Sequence, residues 1–278
     1  MKILTTTLIL TIAQSTLAAE FSFRKHIPFL SPQAEYITAK LTLGNASHTC
    51  MVDTGARFTI GKESVLGSLA KVGETKGGGL SNMELKTDLV QSDITVGNWT
   101  IQGAIMGRTD RIPHDCLIGN DFFLNRVFEI NFKQNNFVEL ETIGTETRPL
   151  DVYVSDRGGH FGFDVDVAGQ LTKSIFDTGA SQTVVDSKLV EANPSAFMLI
   201  KVIDVIDGNN SMIKAGLYRL DHFKFGDIEI ANLEVFVLDL SALTAKIPGV
   251  NVVVGLDVIQ RYNWFFDTNE KSWRMESH

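Results

Sequence analysis

Apolar and polar residues alternate along much of the chain, which is typical of strands with one buried face. The segments "AKLTL" at 39–43 and "FDVDV" at 163–167 alternate with a period of two, and each leads through a glycine-containing turn into a second extended segment. Later in the chain, "DITVGNWTI" (93–101) and "HFKFGDIEI" (222–230) each have two extended segments around a central glycine. We therefore predict a mostly all-β fold with strands joined by tight hairpins and a few short helices.

The chain repeats itself at an offset of 124 residues. Residues 36–59 align without a gap on 160–183, and 116–140 match 252–275. Both copies contain Asp-Thr-Gly-Ala after two apolar residues. A given tetrapeptide should recur at an equivalent place by chance with a probability well under ~1%. We therefore predict an internal duplication with two lobes, residues 21–145 and 148–278, divided near the polar segment 141–150.

Each copy also contains a glycine followed two places on by an aspartate, Asp121 or Asp257, ahead of a short apolar segment. An aspartate before such a segment is typical of a helix N-cap. We predict that both residues begin short helices in this way.

The first 19 residues have the features of an export signal. Lys2 supplies a positive charge, residues 3–12 form an apolar core, and small residues allow cleavage after Ala18 or Ala19. A membrane anchor would need a longer uninterrupted apolar run. We expect an exported protein that is periplasmic or extracellular and leaves the membrane once the signal is removed.

Composition narrows the function classes. The 278 residues carry a formal net charge of −8 without a basic cluster, which argues against a nucleic-acid partner. The six histidines are scattered and no Cys-x-x-Cys motif occurs, so we expect neither a metal nor another cofactor. Cys50 and Cys116 are an even pair in a compartment that permits disulfides, and two reduced, buried thiols remain the alternative.

The repeated Asp-Thr-Gly-Ala carries the candidate chemistry. A carboxylate that follows buried strand residues is costly to ionise alone. If the lobes pack about a pseudo-twofold axis, Asp53 and Asp177 meet at that axis, and the duplication supplies one carboxyl from each half. Hydrolysis of glycosides by two carboxylates requires a wider or differently placed pair, and nothing else in the sequence favours it.

These motifs give the chain a resemblance to the aspartic proteases of the retropepsin and pepsin group. That group has an Asp-Thr-Gly turn and a hydrophobic-hydrophobic-Gly segment in each lobe. Here "DTGA" at 53–56 goes with "LIG" at 117–119, and "DTGA" at 177–180 with "VVG" at 253–255. The resemblance covers essentially the whole mature chain. It implies a bilobal fold of two retropepsin-like β-barrel lobes in one chain, and hence a monomer.

The resemblance also implies roles for particular residues. Asp53 and Asp177 would be the catalytic dyad of an endopeptidase, sharing one proton as aspartic protease dyads do. The residues expected to support the dyad are Thr54, Gly55, Ala56, Thr178, Gly179 and Ala180. Two flaps, near 77–83 and 207–212, would close over a peptide through Gly78, Gly79, Met83, Gly208, Asn209 and Met212. In the family's fold the strands that carry Cys50 and Cys116 are neighbours, which implies a disulfide between them.

The expected substrate is therefore a peptide or an unfolded protein. A catalytically silent peptide-binding or inhibitory module on the same bilobal fold is the alternative. Retention of both aspartates, both threonines and both glycines argues against it, because a binding module has no need of a pair of carboxyls that share a proton.

Overall fold

A computed structural model of the protein describes residues 19–25, 35–77, 85–155, 158–208 and 210–277. The predicted export signal lies outside the described residues except for Ala19, which begins the first strand. Strands make up 58% of the structure and helices 11%, so the expected mostly all-β class is confirmed.

The elements follow one another in short succession. In the first half the strands are β1 Ala19–Lys25, β2 Glu35–Leu43, β3 Ala46–Val52, β4 Ile60–Gly61, β5 Lys71–Gly77, β6 Leu85–Val96, β7 Trp99–Arg108, β8 Cys116–Ile118, β9 Val127–Asn131 and β10 Asn136–Glu139. In the second half they are β11 Arg148–Pro149, β12 Asp151–Ser155, β13 Gly158–Gly162, β14 Asp164–Val167, β15 Gln170–Phe176, β16 Val184–Asp186, β17 Phe197–Ile206, β18 Met212–Phe225, β19 Ile228–Leu238, β20 Val250–Val254, β21 Tyr262–Asp267 and β22 Ser272–Ser277. The helices are α1 Glu63–Leu66, α2 Ser187–Ala192, α3 Ser241–Thr244 and α4 Leu256–Ile259, with single 3-10 turns at Asn120–Phe122 and Pro194–Ala196.

The predicted hairpins are present in both halves. Strand β2 pairs with β3, and β14 pairs with β15, each time through a tight turn with a glycine at positive φ. Strands β6 and β7 turn at Gly97, and β18 and β19 turn at Gly226, again with positive φ. Glycine adopts this backbone conformation without the steric cost that other residues meet, so the turn residues set the register of the strands.

Each half closes a ring of six strands. In the first half the order β2-β3-β8-β4-β7-β6 is closed by pairing of β2 with β6, and β5 is added at the edge. In the second half the order β14-β15-β20-β16-β19-β18 is closed by pairing of β14 with β18, and β17 is added at the edge. The strand order is therefore the same in both rings, which we call the first and second barrels.

A further sheet joins the two halves. Strands β11, β22 and β21 of the second half continue through β9 into β10 and β1 of the first half. Strand β21 pairs antiparallel with β9, with Trp264 opposite Ile130 and Phe266 opposite Phe128. The division at residues 145–148 stays a prediction, but this sheet belongs to both halves and fixes them against each other.

Aromatic side chains fill the space between this sheet and the second barrel. The ring centroid of Phe176 lies 5.0 Å from the ring centroids of both Trp264 and Phe266. The ring centroids of Phe161 and Phe266 are 4.8 Å apart. All four side chains are fully buried. Because Phe176 directly precedes Asp177, this core holds the strand that leads into the second Asp-Thr-Gly turn.

Cys50 in β3 and Cys116 in β8 form a disulfide, as the resemblance implied. Both cysteines are almost completely buried. The two strands run parallel, with Met51 opposite Leu117 and Val52 opposite Ile118, and both lead directly towards the first Asp-Thr-Gly turn. The covalent link therefore braces the strand pair beneath Asp53.

We expect the double variant Cys50→Ala/Cys116→Ala to lower the free energy of unfolding by about 4 kcal/mol, because the disulfide closes a long loop in the unfolded chain. The cysteines are separated by 66 positions. Urea unfolding is measured for the oxidised wild type, for the variant and for the wild type under reducing conditions. Relative to the oxidised wild type, the variant and the reduced wild type should lose similar amounts of unfolding free energy. Two free thiols in the unfolded, unreduced wild type would contradict the disulfide.

Candidate active site

Both Asp-Thr-Gly turns begin at the end of a buried strand. The N–H of Asp53 donates to the Ile118 carbonyl at 2.9 Å, and the N–H of Asp177 donates to the Val254 carbonyl at 3.0 Å. In each case the partner carbonyl belongs to the residue before the glycine of the hydrophobic-hydrophobic-Gly segment. The two motifs of each repeat are thus neighbours, and the chain turns at the same place in both barrels.

The two threonines bind each other across the halves. The N–H of Thr54 donates to Oγ1 of Thr178 at 3.1 Å, and the N–H of Thr178 donates to Oγ1 of Thr54 at 3.0 Å. Each hydroxyl in turn donates to a carbonyl of the opposite strand, Thr54 to Phe176 and Thr178 to Val52, both at 2.8 Å. Both threonines are fully buried. These four hydrogen bonds hold the turns in fixed register.

The two carboxyl groups face each other between the glycines. The N–H of Gly55 donates to Oδ1 of Asp177 at 3.2 Å, across the boundary between the halves. A Cβ atom placed on Gly55 would overlap the carboxyl group of Asp177, and one on Gly179 would overlap that of Asp53. Glycine is therefore required at both positions because only a residue without a side chain leaves room for the opposite carboxyl.

Burial raises the pKa of both carboxyls. The pKa of Asp53 lies well above its ordinary value, first because the group is desolvated and next because Asp177 repels a second negative charge. Backbone N–H groups oppose the rise, with Ala56 donating to Asp53 at 2.9 Å and Gly179 donating to Asp177 at 2.8 Å. The two carboxyls therefore titrate as an interacting pair, in which a negative charge on Asp177 opposes the ionisation of Asp53.

The prediction that Asp121 and Asp257 cap short helices was wrong. Gly119 and Gly255 occupy the N-cap positions. Oδ1 of Asp121 instead accepts the N–H and hydroxyl of Thr59 at 2.9 and 3.0 Å. The carboxyl turns back to the segment that follows the first turn because two donors there satisfy it better than one terminal N–H would.

The second half repeats this arrangement. Oδ1 of Asp257 accepts the N–H and hydroxyl of Thr183 at 2.7 and 2.8 Å, and that hydroxyl also accepts the N–H of Gly255 at 3.2 Å. Desolvation raises the pKa of Asp121 and of Asp257 to about 6 each. Each of these aspartates therefore links the residues that follow its Asp-Thr-Gly turn to the neighbouring strand. Sequence reasoning missed the two threonines, although they recur six places after Asp53 and Asp177.

Sequence reasoning also missed two contacts between the halves. Asn120 donates its side-chain amide to the Gly159 carbonyl at 3.0 Å. His160 forms a hydrogen bond to the backbone of Thr54, and its pKa falls to about 4, first because of burial and next because of the charge of Arg57. The only sequence signal was the alignment, which sets His160 against Tyr36 without indicating a contact.

The predicted flaps correspond to the hairpins β5–β6 and β17–β18. Four of their predicted residues lie outside the described residues: Gly78, Gly79, Met83 and Asn209. Gly208 is in an open tip and Met212 is 69% exposed at the start of β18. The tip is held by Asp207, whose carboxylate accepts the N–H of Ser211 at 2.8 Å. Contact of these tips with a substrate remains a prediction.

Within the described ranges, no group of three or more His, Cys, Asp or Glu side chains is placed to hold a metal ion. At the two turns the structure provides a pair of carboxyls, four nearby backbone N–H groups and an opening to solvent, since Asp53 and Asp177 are both partly exposed. Such a pair can hold a water molecule and move a proton.

Comparison with known proteins agrees with this chemistry. Residues 163–258 match a family model described as aspartyl protease, and the matched segment contains the second Asp-Thr-Gly turn and Gly255. None of the curated proteins compared matches the chain. The family match supports an aspartic protease, and with it a peptidase.

Replacing Thr178 by alanine should lower the free energy of unfolding by about 2–4 kcal/mol, because it leaves the buried Thr54 N–H and Val52 carbonyl without partners. Thr178→Ser is the matched control: it retains the hydroxyl and should cost about 1 kcal/mol for the lost methyl. Urea unfolding measures both. Equal losses in the two variants would mean that the hydroxyl does not stabilise the turns.

Stability should fall as pH rises through about 6. The folded pKa of Asp257 is about 6, above the unfolded value of about 3.9. Its contribution to the unfolding free energy, about 2–3 kcal/mol, is therefore fully present below about pH 4. It is lost as the folded group ionises with rising pH. Asp121 should behave in the same way.

The variant Asp257→Asn cannot ionise there, so its unfolding free energy should change less between about pH 4 and 7 than that of the wild type. Adding Asp121→Asn should flatten the dependence further. Urea unfolding across this range measures the slopes. Parallel slopes in the wild type and both variants would contradict the raised pKa values.

Proposed function

We propose that the protein is an aspartic endopeptidase in which Asp53 and Asp177 together activate the water that hydrolyses a peptide bond. The observation that carries this proposal is the crossed placement of the two carboxyls, each against the glycine of the opposite turn. The aspartyl protease match over residues 163–258 supports the same class independently.

In the proposed reaction the pair holds one proton and one water. The ionised carboxyl removes a proton from the water, while the protonated carboxyl donates a hydrogen bond to the substrate carbonyl. Attack of the water gives a tetrahedral diol, and the carboxyls then exchange roles to protonate the leaving amine. The raised pKa of both groups supports this because one proton is retained at mildly acidic pH.

The surrounding groups fit this division of roles. Backbone N–H groups from both turns point at Asp177 and stabilise its negative charge, including Gly55 of the opposite half. The buried threonine hydrogen bonds keep the two turns from separating. Because positioning within a fraction of an ångström decides the rate of such steps, this rigidity supports catalysis rather than binding alone.

We propose a peptide or unfolded protein as substrate, bound in extended form by strand addition near the hairpins β5–β6 and β17–β18. One chain supplies both carboxyls, so we propose that a monomer is active. The disulfide suits an oxidising compartment. No helix among the described residues is long and apolar enough to cross a membrane. The disulfide and the export signal predicted over residues 1–19 support a periplasmic or extracellular location.

Asp53→Asn and Asp177→Asn should each lower cleavage of an unfolded protein by about 10³-fold or more, because either change removes a proton acceptor or donor from the pair. Both variants should fold, since asparagine relieves the repulsion between the carboxyls. Peptide release at about pH 4–6 measures activity, and a statine-type transition-state mimic should inhibit the wild type.

Asp227→Asn is the matched control, because its side chain is 86% exposed on the surface and it should keep full activity. Full activity in either Asp53→Asn or Asp177→Asn would end the shared-pair mechanism. Peptide binding without any cleavage by the wild type would instead favour the catalytically silent module.

A further inference from the structure

One peptide group of the first turn reaches the carboxyl of the opposite half. It joins Thr54 to Gly55, and we call it the 54–55 peptide group. Its N–H donates to Oδ1 of Asp177 at 3.2 Å. No peptide bond in the described residues is cis, so the N–H and the carbonyl of this planar group point in opposite directions. A group that binds the carbonyl therefore also sets the direction in which the N–H points at Asp177.

His160 of the second half binds this peptide group from its other end. Its ring forms a hydrogen bond to the backbone of Thr54. The N–H of Thr54 already donates to Oγ1 of Thr178 at 3.1 Å, so the acceptor for the ring is the Thr54 carbonyl. Nδ1 of His160 has no hydrogen-bond partner among the described residues, which leaves Nε2 as the donor. The 54–55 peptide group thus lies between His160 and Asp177.

The strand that carries His160 is fixed against the first turn. His160 is only 9% exposed and lies in β13. The neighbouring Gly159 donates its N–H to the Arg57 carbonyl at 3.4 Å, and its own carbonyl accepts the side-chain amide of Asn120 at 3.0 Å. Strand β13 is therefore bound to the first half directly beside His160, which limits movement of the ring relative to the turn.

The ring is a neutral donor at mildly acidic pH. Among the described residues around it, the titratable or charged groups are Arg57 after the turn, Asp121 behind Gly158, and Tyr153 opposite His160 on β12. Burial, and next the charge of Arg57, lower the pKa of His160 to about 4. Above that pH the ring carries no charge and keeps one N–H for the carbonyl.

The backbone supports the two carboxyls unequally. Oδ1 of Asp53 accepts the N–H of Ala56 at 2.9 Å. Oδ1 of Asp177 accepts three N–H groups, at 2.8, 3.2 and 3.2 Å, from Gly179, Ala180 and Gly55. Donors of this kind stabilise the ionised form. Burial raises the pKa of both carboxyls, but the hydrogen bond between them raises the pKa of Asp53 and lowers that of Asp177.

The second half differs at the equivalent places. Gly179 corresponds to Gly55, but its N–H donates to the aspartate of its own turn at 2.8 Å. Tyr36 corresponds to His160, and its ring packs against His114 with the ring centroids 4.7 Å apart. Of the two equivalent glycines, the one whose peptide group is bound by His160 is thus the one that donates across the boundary between the halves.

We propose that His160 is a positioning residue, which fixes the 54–55 peptide group so that its N–H stays on Asp177. The negative charge of the pair is then kept on Asp177 and the shared proton on Asp53. In the first step Asp177 takes the proton of the water, and Asp53 donates to the substrate carbonyl. The inference rests on the proposed function and deepens it, because it gives each carboxyl one role.

The first experiment measures ionisation without substrate, in the full disulfide-bonded chain with isotope-labelled aspartate Cγ, followed by NMR. In Asp53→Asn the pair retains Asp177 alone, and its resonance is the one missing from the double variant Asp53→Asn/Asp177→Asn. Adding His160→Leu should raise the pKa of Asp177 by about 0.5–1, because the N–H donor is no longer held in place. In Asp177→Asn the same change should move the pKa of Asp53 less.

His160→Gln is the matched variant. Its amide N–H can take the place of the donor at Nε2, and it never carries a charge. The pKa of Asp177 should therefore stay within about 0.2 of its value with histidine. This variant separates the hydrogen bond from the charge that the imidazole gains at low pH.

The second experiment measures peptide cleavage between about pH 3 and 7. His160→Leu should lower kcat about five- to tenfold and raise the acidic apparent pKa of kcat/KM by about 0.5–1. KM should change less than about twofold, because the buried ring acts through the peptide group. His160→Gln should restore kcat and the profile.

His222→Leu is the control for the loss of a histidine. That side chain is partly exposed and binds Glu229 at 2.9 Å on the second barrel, so its loss should leave the profile unchanged. A merely structural role of His160 would lower the melting temperature and the active fraction without moving the apparent pKa. If His160→Leu does not fold, His160→Asn replaces it, because its shorter amide does not reach the carbonyl.

An unchanged pKa of Asp177 in the leucine variant would overturn the role of His160. So would equal shifts with leucine and glutamine, or equal shifts at Asp53 and Asp177. These measurements need no cleavage. A folded, disulfide-bonded wild type that cleaves no peptide would instead overturn the proposed function itself, so the two failures are distinguishable.

Discussion

Each carboxyl group of the pair lies so close to the glycine of the opposite turn that no side chain could stand at that glycine. This contact is the constraint on which the rest of the structure depends. Asp177 lies against Gly55 and Asp53 lies against Gly179. Each carboxyl accepts N–H groups of its own turn, and hydrogen bonds from Gly55 and between the two threonines fix the turns against each other across the halves. The barrels, the shared sheet and the aromatic core all serve to maintain this approach. Phe176 illustrates the connection, since its ring lies in the core beside Trp264 and its carbonyl accepts the hydroxyl of Thr54.

Much of the fold and of the candidate site was predictable because the repeat in the sequence marks equivalent positions in the two halves. Alternation of apolar residues and glycine turns was enough to predict the hairpins, and two copies of Asp-Thr-Gly-Ala indicated where two carboxyls meet. The closing strand pairs of each barrel and the sheet shared by both halves were not predictable in detail. They depend on pairings between distant segments, such as Trp264 with Ile130, that no local pattern encodes.

The wrong prediction at Asp121 and Asp257 has a physical explanation. A local rule assigns an aspartate before a short helix to its N-cap, whereas the structure offers it two donors from a threonine more than sixty residues away. Tertiary hydrogen bonds outweighed a single local one. The recurrence of Thr59 and Thr183 at equivalent places carried that information, but only a known fold turns such a recurrence into a contact.

Two repeats within one chain can diverge in sequence wherever the geometry of the carboxyl pair permits, whereas two identical chains cannot. The residues that touch both carboxyls stay identical, while those one step outwards differ, as Arg57 and Ser181 do. The hairpins diverge as well. Lys71 pairs with Asp88 and Lys86 pairs with Glu74 on the hairpin β5–β6, whereas Val202 and Met212 are exposed apolar residues on the hairpin β17–β18. The two halves remain alike in the Asp-Thr-Gly-Ala turns, in the threonine–aspartate contacts behind them and in strand order. The surfaces of the two hairpins differ in charge and polarity, so we propose that a substrate lying across both binds in one orientation.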